Sequence, residues 1–556
     1  MDSSTTDAAA SDSEYDLAEP VETHVGQDEN TGPMAIIIRL LVYYLFRWYV
    51  KWRISDQAAN MLLKIIYAFF RILGRQQALM KEALIYFPKK LSDLFNSVKF
   101  SKKCFNKYAV CPNPACTKLY SLEDITALDG NGQPTGLSCT TCGSHLTTET
   151  VLSNGKRRFH PLKIYCYKSI KESLERLLQF PNFYQSCQAW MTRDTPANSL
   201  CDIYDGQVWK SFFFPMPSGQ QLIQKLDLGL MINCDWFQPF KRRSNISVGV
   251  IYAVIANLPR EMRFKTENVL LLGILPALSK EPSNLNSFLK PVVEELKEFH
   301  RGLQMKVSTG SSVLVTTRII CTASDIPATR KLCGFLGHSA FLGCSKCLKY
   351  FSTMTFNNKK KRNYSGFQRD QWTQRTNDSH RANIVKITSA PSKSVREKLE
   401  KQYGSRYTAL LDLPYFDPVI HHVVDPMHNL FLGTAKMIFK LWLDCDLLRF
   451  NNLRKIDELI APLPISSELG RIPTTISSNF GNFTAAEWKN WTLVYSLYCL
   501  NGLLPKPHLL CWQTFVLACN RLCQPLLYPE DIHQADLLLM KFCRTVEELY
   551  LSLIHI

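Results

Sequence analysis

No stretch of this chain reads as a leader. Residues 1–33 are acidic, rich in Ser and Thr, and end in Gly-Pro, with neither a basic n-region nor an apolar h-region. They hold too little apolar surface to order themselves and read as a disordered acidic tail. Without a leader, the 19 cysteines are expected in a reducing compartment, as zinc ligands or core residues rather than disulfides. Long apolar runs are missing too. The nearest approach, AIIIRLLVYYLFRWYVKW over 35–52, is interrupted by Arg39 and Arg47. A membrane span needs about 20 mostly apolar residues, so this stretch reads as a buried or amphipathic helix and no membrane partner is expected. Acids are short relative to bases: 48 Asp and Glu stand against 65 Lys and Arg, a net charge of +17. That imbalance favours a polyanionic partner, with nucleic acid first. The remaining composition, 46% apolar and 20% charged over 556 residues, is ordinary and sufficient for several globular domains.

Residues 34–100 read as helices. Ser55 is a candidate N-cap for QAANMLLKIIYAFFRIL, whose stripe comprises Met61, Leu62, Ile65, Ile66 and Phe69. Over 101–150 two cysteine knuckles follow, Cys111 with Cys116 and Cys139 with Cys142, separated by a polar loop carrying Gly130 and Gly132. A tight turn brings both sulfurs of a knuckle to one side, so the two pairs read as a four-cysteine zinc ribbon, with His145 as a substitute ligand. The basic cluster Lys156, Arg157 and Arg158 is a candidate DNA contact, or else a solvated charge run. It opens a segment, 151–215, read as a helical linker in which Ile170, Leu174, Leu177 and Leu178 form a core stripe.

From about residue 216 the pattern turns strand-like. Leu226–Cys234, SVGVIYAVIANLP (247–259) and ENVLLLGILP (267–276) precede a helical NLNSFLKPVVEELKEFHRG (284–302) and then SSVLVTTRIICTA (311–323). Pro291 must lie near a start or kink of that helix. Three strands, a helix and a fourth strand is the order of a ribonuclease-H-like core. In that order the first and fourth strands are neighbours, so Asp235 and Asp325, at their ends, would come within reach of one metal pair. Cleavage and transfer of a DNA strand call for two divalent ions gripping the attacking and leaving oxygens, and Mg²⁺ or Mn²⁺ held by a few carboxylates suffices. Behind Asp325 lies a CxxC, Cys344 and Cys347, which reads as half of a zinc site. A redox role is disfavoured because no strand–CxxC–helix context surrounds it. The core is taken as 216–350. A basic insertion, 351–412, carries Lys359, Lys360, Lys361 and Arg362, a DNA contact or nuclear-localisation element. His421, His422, Asp425 and His428 cluster next, with Asp425 before Pro426 reading as a cap ahead of a metal ligand. Residues 413–556 read as helical.

YDGQVWKSF (204–212), LMINCDWFQPF (230–240), SDIPATRKLCGFLGHSAFLGCSKC (324–347), NYSGF (363–367), LPYFD (413–417) and DPMHNLFLGTAK (425–436) together resemble transposases of the CACTA (En/Spm) superfamily, in the fungal-type version. The resemblance runs from about residue 100 to about 500. It implies an α+β multidomain protein with N-terminal helices, a zinc ribbon, a ribonuclease-H-like DDE core and a helical C-terminal part. The implied activity is metal-dependent cutting and pasting of a DNA element. Asp235 and Asp325 then correspond to the first two acids of the triad, and Cys344 and Cys347 to half of the zinc site between the second and third. Relatives complete that site with an NMHLH-like motif and supply the third acid in a FERYNG-like segment. Neither occurs here, so a C-terminal truncation or a decayed copy is expected, with Glu487 the best internal substitute for the third acid. The expected partners are transposon-end DNA and a second copy of the chain, the expected compartment the nucleus. The alternative is a catalytically dead, transposase-derived DNA-binding protein.

Overall fold

The computed structural model describes residues 33–52, 54–75, 81, 84–97, 105–128, 130, 132–213, 225–240, 246–356, 359–463, 469 and 472–554. The tail read over 1–33 lies outside these, apart from Pro33. The chain forms two compact units, residues 1–104 and 105–556.

The first unit is helical, with α1 (Pro33–Lys51), α2 (Asp56–Leu73) and α3 (Leu91–Ser97). Ser55 caps α2 by accepting from the Ala58 amide at 3.2 Å. The buried face of the unit comprises Ile38, Val42, Ala59, Leu63, Phe87, Leu91, Leu94 and Phe95. The stripe expected on α2 is met only in part: Ile66 packs against this core and Leu62 is half-buried. Met61, Ile65 and Phe69 are exposed, and the helix turns Ala59, Leu63 and Phe70 inward. The apolar arc of α2, opposite Gln57, Asn60, Lys64 and Arg71, is wider than the face that packs, so spacing alone does not say which edge of it turns inward. No described helix is long and apolar enough to cross a membrane.

The second unit is built on an eight-stranded mixed sheet, order β11-β12-β8-β9-β10-β7-β1-β2, whose edge strand β11 is Leu303–Lys306. The strands that place the candidate site are β8 (Lys225–Phe237), β9 (Val248–Ile255), β10 (Val269–Leu275) and β12 (Ser312–Thr322). β8 pairs antiparallel with β9, β9 antiparallel with β10, and β12 runs parallel beside β8. Helix α4 (Asn286–Arg301) crosses between β10 and β12 and keeps Pro291 inside it. Leu226, Leu228, Leu230, Ile232 and Cys234 on β8 share one core with Phe288, Leu289, Val292, Val293, Leu296 and Phe299 of that helix. Each such side chain contributes about 1.5–3 kcal/mol when fully buried, so this face anchors the unit. The opposite face meets Tyr204 and Trp209, which pack with Ala256, Ile320 and Cys321.

Three boundaries differ from those read along the chain. Residues 151–215 are not a purely helical linker: β6 (Arg157–Pro161) pairs with β5 (Thr147–Val151), and β7 (Ile164–Tyr167) joins the main sheet. The ribbon strands β1 (Asn106–Val110) and β2 (Leu119–Ser121) extend the same sheet, so the ribbon grows out of it. Ile384, Ile387, Leu410, Leu413 and Phe416 also enter the core beneath β8, so much of 351–425 packs as part of the sheet domain. Only from Phe431 onward does a separate helical core form, around Trp442, Trp488, Trp491 and Trp512.

Gly229 on β8 shows how tight the sheet is on the Trp209 face. A Cβ there would lie 2.8 Å from Trp209 Cζ3 and 3.0 Å from Ile320 Cγ2, both on buried side chains. Gly229→Ala is expected to cost about 1–3 kcal/mol through overpacking. Gly481→Ala, where a Cβ meets nothing within 4 Å, should stay within about 0.5 kcal/mol. Urea midpoints of the two variants compare them directly.

Candidate active site

The two acids sit at the same end of the parallel pair. Ile232 is in register with Thr322, the Ala323 amide donates to the Ile232 carbonyl at 2.9 Å, and the Cys234 amide donates to Ser324 Oγ at 2.8 Å. Asp235 and Asp325 are each the next residue along. Asp235 is exposed; Asp325 is half-buried and caps the helix α5 (Ile326–Cys333), accepting from the Ala328 amide at 2.7 Å. Asp235 accepts from the Trp236 amide at 2.7 Å through Oδ1 as well. Each carboxylate thus has Oδ2 outside these bonds. Asn233, two residues before Asp235 and on the same strand face, donates through Nδ2 to the Ala323 carbonyl, while its Oδ1 is buried without a partner. Burial pushes the neighbouring Cys234 thiol well up; the Lys331 charge opposes this, and those of Asp235, Asp325 and Glu281 add to it. Glu281 is held by Lys331 of α5 at 2.6 Å, and that ammonium lies over the Trp236 ring at 5.0 Å. At this strand end stand two carboxylates and the Asn233 amide oxygen, with the Lys331–Glu281 pair beside Trp236.

Sequence spacing put Asp235 and Asp325 at strand ends, and the structure sets those ends side by side. The spacing missed Asn233, Glu281 and Lys331. The signal for Asn233 was present, since a polar residue two before an acid in a strand shares its face. Nothing in the spacing linked Glu281 to Lys331. Glu487, read as the substitute third acid, closes a capping box on its own helix, its Oε2 2.6 Å from the Thr484 amide and from Thr484 Oγ1.

The ribbon cysteines converge. The sulfurs of Cys111, Cys116, Cys139 and Cys142 all lie within 4.8 Å of one another, with Cys111 to Cys142 at 3.4 Å and Cys116 to Cys139 at 3.6 Å. A tetrahedral zinc with sulfurs about 2.3 Å away has edges of about 3.8 Å, so the four thiols can hold one zinc ion. Burial works against ionising Cys139, but the Tyr120 hydroxyl and the Thr141 and Cys142 amides outweigh it and bring the thiol down to about 6. Burial pushes Cys111 and Cys116 up instead. His145 is not needed as a ligand; its Nδ1 meets Ser138 Oγ at 3.2 Å. Among the described residues no other group of three or more metal-type side chains closes to this degree. Cys344 and Cys347 remain a pair, their carbonyls held by the Arg375 guanidinium at 2.9 and 3.3 Å.

The histidine cluster separates. Asp425 accepts from the Met427 amide at 2.9 Å and bonds the His428 ring, so this DxxH closes on itself as a helix start. His421 and His422 turn into the core beside β12, where the Thr322 amide donates to the His421 carbonyl at 2.8 Å. Of the basic clusters, Lys156, Arg157 and Arg158 are exposed on the β5–β6 hairpin, with Arg157 paired to Glu149 at 3.1 Å. Lys359–Arg362 form β14, paired with β13 (Thr353–Phe356). Lys360 is exposed, Arg362 folds back over Phe341, and the side chains of Lys359 and Lys361 lie outside the described residues.

Residues 198–400 match the family described as Transposase family tnp2, which supports a transposase family for the chain. The matched stretch contains Asp235, Asp325, Cys344 and Cys347. No curated protein matches the chain with significance.

Two outcomes follow from this geometry. Cys139→Ser is expected to release one zinc equivalent, read by elemental analysis, and to open residues 105–167 to limited proteolysis; unchanged zinc content would remove the assignment. Burial holds His380, His421 and His422 down to about 4, below the unfolded value of about 6.5. Neutral imidazole is the form the fold favours. Its stabilisation is complete above about pH 6.5 and is lost as pH falls toward about 4. Unfolding near pH 5 should take up as many as three protons, and His422→Asn should lower that uptake by about one.

Proposed function

We propose that the chain is a CACTA-type DNA transposase whose sheet is a ribonuclease-H-like nuclease core. The observation that carries this reading is the parallel β8–β12 pairing, which brings Asp235 and Asp325 to one strand end inside the stretch matched to a transposase family. The strand order β10-β9-β8-β12, with α4 as the crossover, supports the same core. The net charge of +17 fits a polyanionic substrate, and the reading makes that substrate transposon-end DNA in the nucleus, bound by paired copies of the chain.

Asp235 and Asp325 would hold Mg²⁺ or Mn²⁺ through their Oδ2 atoms, with the unpartnered Asn233 Oδ1 beside them. When bound, such ions lower the charge on the attacking and leaving oxygens of a phosphodiester. Asp325 is fixed by its capping bond, so its outer oxygen is presented without rearrangement. The nucleophile is water or a 3′-hydroxyl and displaces the strand's own 3′-oxygen, so no bond to the protein forms. Lys331, beside the acids, would balance their charge before DNA arrives.

The test is nicking of terminal-repeat DNA in Mg²⁺. Asp235→Asn and Asp325→Asn should each lower the rate by at least about 10²-fold while salt-sensitive DNA binding persists. Binding without metal-dependent nicking in the wild type would instead select the non-catalytic DNA-binding protein.

A further inference from the structure

The CxxC loop carries an exposed aromatic group that the nuclease reading does not use. The Phe351 amide donates to the Phe341 carbonyl at 2.8 Å, closing a loop with Cys344 and Cys347 inside it. The Phe341 and Tyr350 rings stack across this loop, with centroids 5.0 Å apart and planes 9° from parallel. Arg362, from the basic hairpin, places its guanidinium carbon 3.6 Å from the Phe341 centroid. Its Nε donates to the Ser339 carbonyl at 2.8 Å, which fixes the stack from the hairpin side. Tyr350 is 62% exposed although it is the outer member of an ordered stack. Lys360 is exposed on the same hairpin, whereas the Lys349 ammonium, next to Tyr350 in the chain, is held by the Ser365 carbonyl at 2.8 Å and lies over the Trp372 ring, so the cations of the platform are Arg362 and Lys360.

Apolar rings of this size are costly to leave in water when they could pack inward. Here they are held out on a short, hydrogen-bonded loop among cations. A flat aromatic face flanked by cations is the chemistry that receives an unpaired nucleobase: the ring stacks on the base, and the cations meet its phosphates. A closed duplex has no free base face to offer, so the occupant is a single-stranded or extruded nucleotide.

We propose that Tyr350, backed by Phe341 and Arg362, is a stacking platform for an unpaired nucleobase of the DNA substrate. This rests on the DNA-processing reading above and adds where the opened strand is gripped. It places the grip on the loop that follows the second acid, so an end opened during cutting would be held by the same segment.

The test uses the full chain, a short blunt duplex, and the same duplex with a single-stranded overhang containing 2-aminopurine. Wild type should bind the overhang DNA about tenfold tighter than the blunt DNA and quench the 2-aminopurine. Tyr350→Ala should lose that tenfold preference and the quenching, with blunt-duplex affinity unchanged; Tyr350→Trp should keep both. Equal losses on both DNAs, or a Tyr350→Ala protein that still prefers the overhang, would overturn the platform while leaving the DNA reading standing. Failure of the wild type to bind either DNA would overturn the DNA reading and the platform together.

Discussion

The parallel ladder between β8 and β12 is the constraint from which the rest of the sheet domain follows. A parallel pair cannot be joined by a tight turn. The chain must leave the end of β8, cross and return, and it does so through β9, β10 and α4. The register of that ladder does two things together. It puts Leu226, Leu228, Leu230, Ile232 and Cys234 against α4, and it puts Asp235 and Asp325 at one end of adjacent strands. Because side chains alternate, a slip of one residue would turn the apolar set away from α4 onto the tight Trp209 face and misplace the acids. Core and candidate site are thus specified by one register, and the hydrophobic burial that stabilises the fold also keeps the carboxylates together.

The legible part of the fold was the part with strong alternation or strict spacing. Leu226–Cys234 and SSVLVTTRIICTA are long β-rich runs bounded by polar residues, and both are strands of the sheet. The cysteine knuckles at Cys111–Cys116 and Cys139–Cys142 were legible because spacing fixes how far two sulfurs on one turn can separate, and the fold brings the two turns face to face. Short elements with mixed composition were not legible. KRRFHPLKIYCY has too many charges to announce two strands, and its Ile164–Tyr167 half is a strand only because β1 and β10 supply partners. Partnering is a tertiary fact, and β propensity is largely a report of it. The phase of α2 was legible only in part, because its apolar arc is wider than the face that packs.

Cysteine illustrates how one residue type acquires different roles from its surroundings. Cys111, Cys116, Cys139 and Cys142 stand on two turns that face each other and can share an ion. Cys234 and Cys333 act as small core residues, and burial pushes both thiols up, Cys333 to about 12, which keeps them neutral and unreactive. Cys344 and Cys347 have a turn like the ribbon's, but their neighbourhood is the Arg375 guanidinium and the loop backbone. Spacing alone distinguishes turn-borne cysteines from core ones; whether a turn finds a facing partner depends on packing far away in the chain.

The same distinction applies to charge. The two basic runs visible in the sequence do not act as uniform cationic strips. Arg157 is paired across its hairpin to Glu149, and Arg362 lies over Phe341. An exposed pair such as Arg157–Glu149 contributes about 0–1 kcal/mol and is screened by salt, so it leaves that hairpin largely available to other anions. Arg362 is different, since its guanidinium is oriented by a backbone carbonyl and an aromatic face together. A cation fixed in direction discriminates among partners by shape, whereas a mobile one attracts any anion. Phe341, Tyr350 and Arg362 are unremarkable as single letters and come together only because the loop and hairpin fold back. The net charge therefore predicts attraction to a polyanion, and the few fixed side chains among those charges determine which form of it fits.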